Sequence, residues 1–436
     1  MSRFLKTHLR NFATRDDGAV TIFGLYLFLA VSMIGAIALD VSYLRATKTQ
    51  LQVAADQSAH AAIYRRSSQT MEQAQQDAVA ITDQILGGAK FKGALTTTDI
   101  EFGTYVSETN TFVADSLSRQ AVRVVTSLER ERDNAAQSFL FRMVGIEDFE
   151  VLAEAVYTAY KPGCLREGLV AEGVVDLQSN NSFLNGFCVH SNSYVSLNQN
   201  NFFETGTVVS MPNIDDLDLP KSGFEKNEGL DEALRNQKIK IRILDQVKTI
   251  DQRLRSNDPN TVPDYIWDAN IQQISVKTLS MADLEPGHMY EVGCTGSGLT
   301  IDGSAPLKDV VIITDCDVKM SNGAALENVL LVTTSTSDKS ITSPNGFRMG
   351  VNDNCAPGGG AQIVTAGGFS VASGLELFGS QIIAQKDVSF AAAADGVGGA
   401  SIISAASIDG TSQSGFGFCN SGMEDNISVD YYRMVR

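Results

Sequence analysis

The hydrophobic pattern changes character twice within the first seventy residues. Positions 19–39 read AVTIFGLYLFLAVSMIGAIAL, with no charged residue. A helix of that length rises roughly 32 Å at 1.5 Å per residue. That crosses a hydrocarbon core with every backbone polar group paired inside the segment. After Asp40 the apolar positions recur at helical spacing instead. Leu51, Ala54, Ala55, Ser58, Ala59, Ala62 and Ile63 fall on one face. Most are small, which predicts a helix-packing interface that its partner approaches closely. Within the apolar run, Ser32 and Ala36 form a small-xxx-small pair, read either as an extension of the interface or as small residues that lipid tolerates anywhere. A second helix is expected from Ala74, Ala78, Ile81 and Ile85, ended by Gly87-Gly88.

Period-two signals follow. Ile100, Phe102 and Thr104 alternate with polar neighbours, residues 121–125 are rich in Val, and residues 149–160 read as a last strand. A short helix is expected around 135–143. The order predicts a pilin-like α+β head behind the membrane segment.

From residue 164 the dominant signal is self-similarity. VDLQSNNSFLNG at 175–186 matches VSLNQNNFFETG at 195–206, an offset of 20. LKDVVIIT at 307–314 matches LENVLLVT at 326–333, and QIVT at 362–365 echoes QIIA at 381–384, both at 19; Ile402-Ile403 recur 20 later. Short apolar strands at this period, punctuated by Gly and Asn, predict a parallel β-helix in which like residues stack coil over coil. The alternative is a β-sandwich with chance similarity. The Asn180-Asn181 and Asn200-Asn201 pairs are expected to stack as amide ladders. The repeat lapses over 213–290, where Leu230, Leu234, Ile241, Leu244, Val247 and Leu254 predict an inserted helix of about 25 residues, although IKIRI alternates like a strand.

Charge sets the topology. The net charge is −17, yet Arg3, Lys6, Arg10 and Arg15 against Asp16 and Asp17 leave the first 18 residues at +2, so the remainder carries −19. A basic flank before the apolar run places the N-terminus in the cytoplasm and the rest outside. The rival reading is a signal peptide cut after Ala36-Ile37-Ala38, at Ala38-Leu39; it too exports the chain. So acidic an ectodomain disfavours nucleic acid as a partner. Lys238, Lys240, Arg242, Lys248, Arg253 and Arg255 form its basic cluster, read as a solvated face or a dock for an acidic partner.

Candidate chemistry is sparse. Cys164, Cys188, Cys294, Cys316, Cys355 and Cys419 lack zinc-site spacing, and their even number in an exported region fits disulfides. Sequential pairing, Cys164–Cys188, Cys294–Cys316 and Cys355–Cys419, is the expectation among the 15 connectivities that six cysteines allow. Because β-helices often house polysaccharide-cleaving enzymes, paired carboxylates matter: Asp215, Asp216 and Asp218, or Asp315 and Asp317 flanking Cys316. Solvated acidic turns are the preferred reading of both sets. His190 reads as a turn cap beside Cys188. No nucleophile elbow, metalloprotease helix, P-loop or dinucleotide fingerprint occurs. Catalytic residues, cofactor and metal are all expected to be none.

Gly18, the apolar run, Asp40, Leu51-Gln52 and Ala54-Ala55-Asp56 before the alanine-rich stretch resemble the N-terminal segment of TadE/TadG-like proteins of the Flp (tight adherence) pilus system. EFGTY at 101–105, AVRV at 121–124 and FLFRMVGI at 139–146 resemble later landmarks, so the likeness covers about residues 15–160. It implies an inner-membrane protein of a bacterium associated with pilus assembly, with the lipid bilayer and other pilus-assembly membrane proteins or pseudopilins as partners. Two departures limit it. Phe23 stands where a TadE-type pseudopilin has a glutamate five residues past its processing glycine, which argues against cleavage at Gly18-Ala19. The D-x-S-x-S metal motif of von Willebrand A-type domains is missing, since Asp40-Val41-Ser42-Tyr43-Leu44 fails at its last position.

The expected organisation is a cytoplasmic tail at 1–18, a transmembrane helix at 19–39, the α+β head at 40–163, first coils at 164–212, a helical insertion at 213–290, and the main β-helix with a C-terminal tail at 291–436. The expected role is structural, in pilus assembly or anchoring. The alternative is an adhesin-like envelope module that grips polysaccharide along its coils.

Overall fold

The computed structural model describes residues 17–296, 298–411 and 414–436. The cytoplasmic tail expected at 1–18 lies outside them, apart from Asp17 and Gly18. The chain divides into two compact units, Met1–Tyr160 with Asp430–Arg436, and Lys161–Val429.

In the first unit one helix, α1 (Asp17–Arg66), runs without a break from the apolar run into the alanine-rich stretch. Between Val20 and Leu39 its side chains are exposed except for half-buried Ala36. Beyond Asp40 one face is packed. Helix α2 (Met71–Leu86) begins at a capping box in which Thr70 and Gln73 satisfy each other's backbone N–H. Behind the helices lies an antiparallel sheet in the order β2–β1–β3–β4–β5: β1 is Ile100–Val106, β2 Thr111–Ala114, β3 Ala121–Leu128, β4 Val151–Tyr160 and β5 Tyr431–Met434. The fifth strand comes from the C-terminus. The tail grouped by sequence with the β-rich region therefore completes the head.

The helix expected at 135–143 is instead a two-residue strand, Ala136–Gln137, paired with Asp148–Phe149 around a 3₁₀ turn, Phe141–Val144. Its cause is local. The N–H groups of residues 139–141 are committed to Asp40, and Gly145, at φ 89°, turns the chain out of any helix.

The second unit is a mainly β domain with a parallel sheet. Its repeats pair in the register of the sequence offsets: Val195 with Val175, Phe203 with Phe183, residues 307–314 with 326–333, and Ile363, Ile382 and Ile402 in succession. Three columns of parallel pairing run through it, and all three join the start of the unit to its end. Residues 401–404 pair with 168–171, 408–410 with 175–177, and 415–417 with 182–184. Strands from 188 to 236 continue beyond the first repeat, while Asp268–Val276 pairs with His288–Cys294 at the opposite end.

Residues 237–267 must therefore return along the whole sheet. They do so over its outer face: Ile241, Ile243, Leu244, Val247, Ile250 and Leu254 pack on Val170, Met289, Val311, Leu330, Val364, Ile383 and Ile403. This corrects the expected 25-residue helix and its 213–290 bounds. Beyond a single α turn at Leu230–Ala233, only Val247–Arg255 (α3) is α-helical there, and strands occupy 227–228, 234–236, 268–276 and 278–279. The apolar positions alternate at Ile239 and Ile241, enter a 3₁₀ turn over Arg242–Gln246 and become α-helical only from Val247, so most of the segment is not α-helix.

Candidate functional site

The residues singled out on α1 separate at Asp40. Ser32 is exposed and Ala36 half-buried, both within a stretch long and apolar enough to cross a membrane. Leu51, Ala54, Ala55, Ser58, Ala59 and Ala62 are each wholly buried, against their own head. Ala55, Ala59 and Ala62 pack with Ala74 and Ala78 of α2 and with Phe102, Val122, Val124 and Ala155 of the sheet. Alanine carries only a methyl group, too short to hold the sheet off, so helix and sheet pack through Cβ atoms. Polar groups lock the register: Ser58 Oγ lies 2.6 Å from Thr82 Oγ1, Thr126 Oγ1–H donates to the Leu51 carbonyl, and Gln52 Nε2–H donates to the Glu154 carbonyl. The close-approach partner of the alanine face is thus inside the chain. The outer face of the helices stays open, and a small apolar groove there is lined by Thr49, Gln50, Val53, Ile85 and Leu86.

Asp40 is the junction. It follows the last apolar residue of the run directly and is wholly buried. Oδ1 accepts the Phe139 N–H at 2.9 Å, and Oδ2 accepts those of Leu140 and Phe141 at 3.1 and 2.8 Å. Burial pushes the carboxyl up. The three donors to its charged form outweigh that, and the pKa lies below the usual aspartate value. An ionised carboxylate is held here because it binds one loop of the head to the first turn after the apolar run. Sequence reading treated Asp40 only as a boundary and a family landmark. A carboxylate placed directly against the end of an apolar run was the available signal.

In the second unit disulfides join Cys164 to Cys188, Cys294 to Cys316 and Cys355 to Cys419. The grouping of Cys294, Asp315 and Cys316 has metal-ligand proximity, but both sulfurs are spent on the disulfide. Asp315 and Asp317 are exposed, and Asp317 accepts a hydrogen bond from Ser335 Oγ–H. Asp215, Asp216 and Asp218 are exposed as well. The amide ladder is buried and longer than the sequence indicated. Asn181 Nδ2–H donates to Asn201 Oδ1 at 3.0 Å, and Asn201 Nδ2–H to Asn227 Oδ1 at 3.1 Å. Asn227 sits 26 residues on rather than 20, outside the visible period. With these amides turned inward, they offer nothing to a ligand.

His190 is wholly buried in a different column, in register with Val170 on the face that the return segment covers. Its Nδ1 lies 2.7 Å from Ser210 Oγ and its Nε2 3.0 Å from Asn192 Oδ1. Asn192 donates through Nδ2 to Glu172, which fixes its oxygen toward the ring. The neutral imidazole therefore donates from Nε2 and accepts the serine O–H at Nδ1. Burial lowers its pKa. Part of the basic cluster is neutralised: Arg255 makes two hydrogen bonds to Glu291 and one to Asp251, and Arg253 pairs with Asp258. Hydrogen bonding from Arg255 lowers the Glu291 pKa to about 2.

Residues 18–76 match the family model of Flp pilus-assembly TadE/G-like proteins. This covers α1 from the apolar run to its end and the start of α2, within the longer stretch of resemblance. No curated protein and no solved structure matches the chain. A second model, described as a domain of unknown function (DUF7867), matches residues 168–420. This match takes in almost the whole parallel-sheet unit and more than half of the 436 residues, so the chain belongs to the DUF7867 family.

Proposed function

We propose that this chain is a non-catalytic, membrane-anchored component of a Flp-type pilus machine in a bacterial envelope, acting in assembly or anchoring. Residues 19–39 hold it in the inner membrane. The basic first 18 residues stay in the cytoplasm, and the remainder lies in the periplasm, where three disulfides persist. The carrying observation is the place of the TadE/G-like match. It falls on one continuous helix whose apolar half is exposed and whose alanine half is built into the chain's own head. In this reading the three pairing columns are the faces of a parallel β-helix, a rigid body carried by the anchored head. The candidate aspartates are solvent-exposed, and Asp317 is bound by Ser335, which fits solvated acidic turns.

The partners are the bilayer and other pilus-assembly membrane proteins or pseudopilins. They meet α1 on the side its own head leaves open, where Val53 is 47% exposed. A photo-crosslinking residue at position 53 of the full-length chain, in its native membrane, tests this. Recovery of pilus-assembly proteins supports the reading. Their absence from crosslinks in piliated cells contradicts it.

A further inference from the structure

The head carries a loop whose height above the apolar run is fixed. Residues 139–141 donate three hydrogen bonds to Asp40, and Asp40 comes one helical rise, about 1.5 Å, after Leu39. If 19–39 spans the membrane, the loop backbone lies within the interfacial layer, which extends about 5–7 Å beyond the hydrocarbon on each side. At that level apolar side chains face outward: Phe139 is 61% and Ile146 43% exposed. The Phe139 ring stands edge-on to Tyr43 of α1 at 5.0 Å, and Lys90 Nζ lies 4.3 Å from the Tyr43 ring centre. These groups, with Arg142, line an open groove of about 540 Å³. Aromatic rings flanked by Lys and Arg are the residue set that settles at the headgroup level of membranes. Exposed Asp133 and Glu147 in the same region offset the two cations, so attraction to anionic lipid is not the driving force.

We infer that the loop of residues 139–146 is a second membrane contact. It enters the interfacial layer of the leaflet from which α1 emerges and holds the head at a fixed tilt to the bilayer. The inference rests on the anchoring reading above. A single helical span leaves the head free to rock about the emerging helix. A second contact offset from the helix axis removes that freedom, and the buried Asp40 carboxylate transmits the constraint.

The test uses the full-length chain in phosphatidylcholine nanodiscs with the native indole removed by Trp267→Phe. Phe139→Trp is compared with Leu117→Trp. Leu117 is an exposed residue of the same head beside Ser116, whose carbonyl accepts from Arg66 at the far end of α1. With lipid spin-labelled near the top of the acyl chain, the indole at 139 should be blue-shifted and lose about half its emission, while the one at 117 is unaffected. Quenching no greater at 139 than at 117 overturns the inference. Hydroxyl-radical footprinting of the unsubstituted chain guards against a folding artefact: Phe139 and Ile146 should be oxidised less than Leu117, and equal labelling again overturns it. Alkaline carbonate separates the two failures. A chain it releases contradicts the anchor itself, whereas a retained chain with an unquenched indole contradicts only the loop contact.

Discussion

Single side chains hold the head and the sheet in register, and two of them titrate informatively. Asp40 neutralises three backbone donors that otherwise face a low-dielectric boundary. Asp40→Asn keeps the shape but removes the charge. Amide exchange at 139–141 should then accelerate by at least about tenfold in nanodiscs, because the single amide oxygen cannot accept from N–H groups on both sides, the NH2 faces a donor, and the bonds that remain are no longer charge-assisted. Unchanged protection would show that the loop is held by packing alone. His190 makes a prediction of the opposite electrostatic kind. Burial depresses its folded pKa below the ordinary 6.5, so the unfolded chain binds the proton more readily. Its contribution to stability is complete above pH 6.5 and is lost as pH falls through that value toward the folded pKa. The Tm of the wild-type chain should therefore drop between pH 7 and 5 by more than that of His190→Gln. Parallel pH profiles would contradict a neutral buried imidazole.

Among the elements, α1 and the repeat strands were legible because their signals are periodic and local. The alanine spacing on α1 pointed to close packing. What it could not name was the partner, since contact between residue 59 and residues 122 or 155 lies far along the chain. That packing has a measurable tolerance. Ala59→Leu forces extra methylenes between helix and sheet and should destabilise the head by about 1–3 kcal/mol, read as a lower Tm in detergent. A neutral result would mean that the face has slack for a bulkier neighbour. The helix of about 25 residues expected from Leu230 to Leu254 is mostly absent, because IKIRI alternates like a strand and only Val247–Arg255 keeps the α-helical spacing. The clue to the course of the return segment 237–267 lay elsewhere. VVIIT at 310–314 and VLLVT at 329–333 are unbroken apolar runs, and such strands are buried on both faces. Something had to cover their outer side, and α3 does so with the 3₁₀ turn and Ile241 before it.

For the whole molecule, order in sequence and order in space differ. The first repeat of the parallel-sheet unit stacks on the last, with the Phe183 ring 5.1 Å from Phe416 on one side and 4.8 Å from Phe203 on the other. A stack that merely ran from one end to the other would lose its last coil harmlessly. Here, truncation after residue 400 removes the support beneath the first coils, and residues 168–236 should become protease-sensitive in the shortened chain while they stay protected in the full-length one. Persistence of that segment as a resistant fragment would contradict the closure. No short window of sequence revealed this arrangement, because the matched repeats fix which strands resemble one another and not which lie together. The same holds for the C-terminal strand that completes the head sheet. The two family matches divide along similar lines, one on the anchoring helix and one on the parallel sheet. The central claim is that the whole serves pilus assembly. The most direct measurement is the amount of pilin sheared from the surface of cells lacking this chain, with and without the full-length chain restored. The account predicts loss of surface pilin and its recovery on complementation. Normal surface pilin in the deleted cells would contradict it.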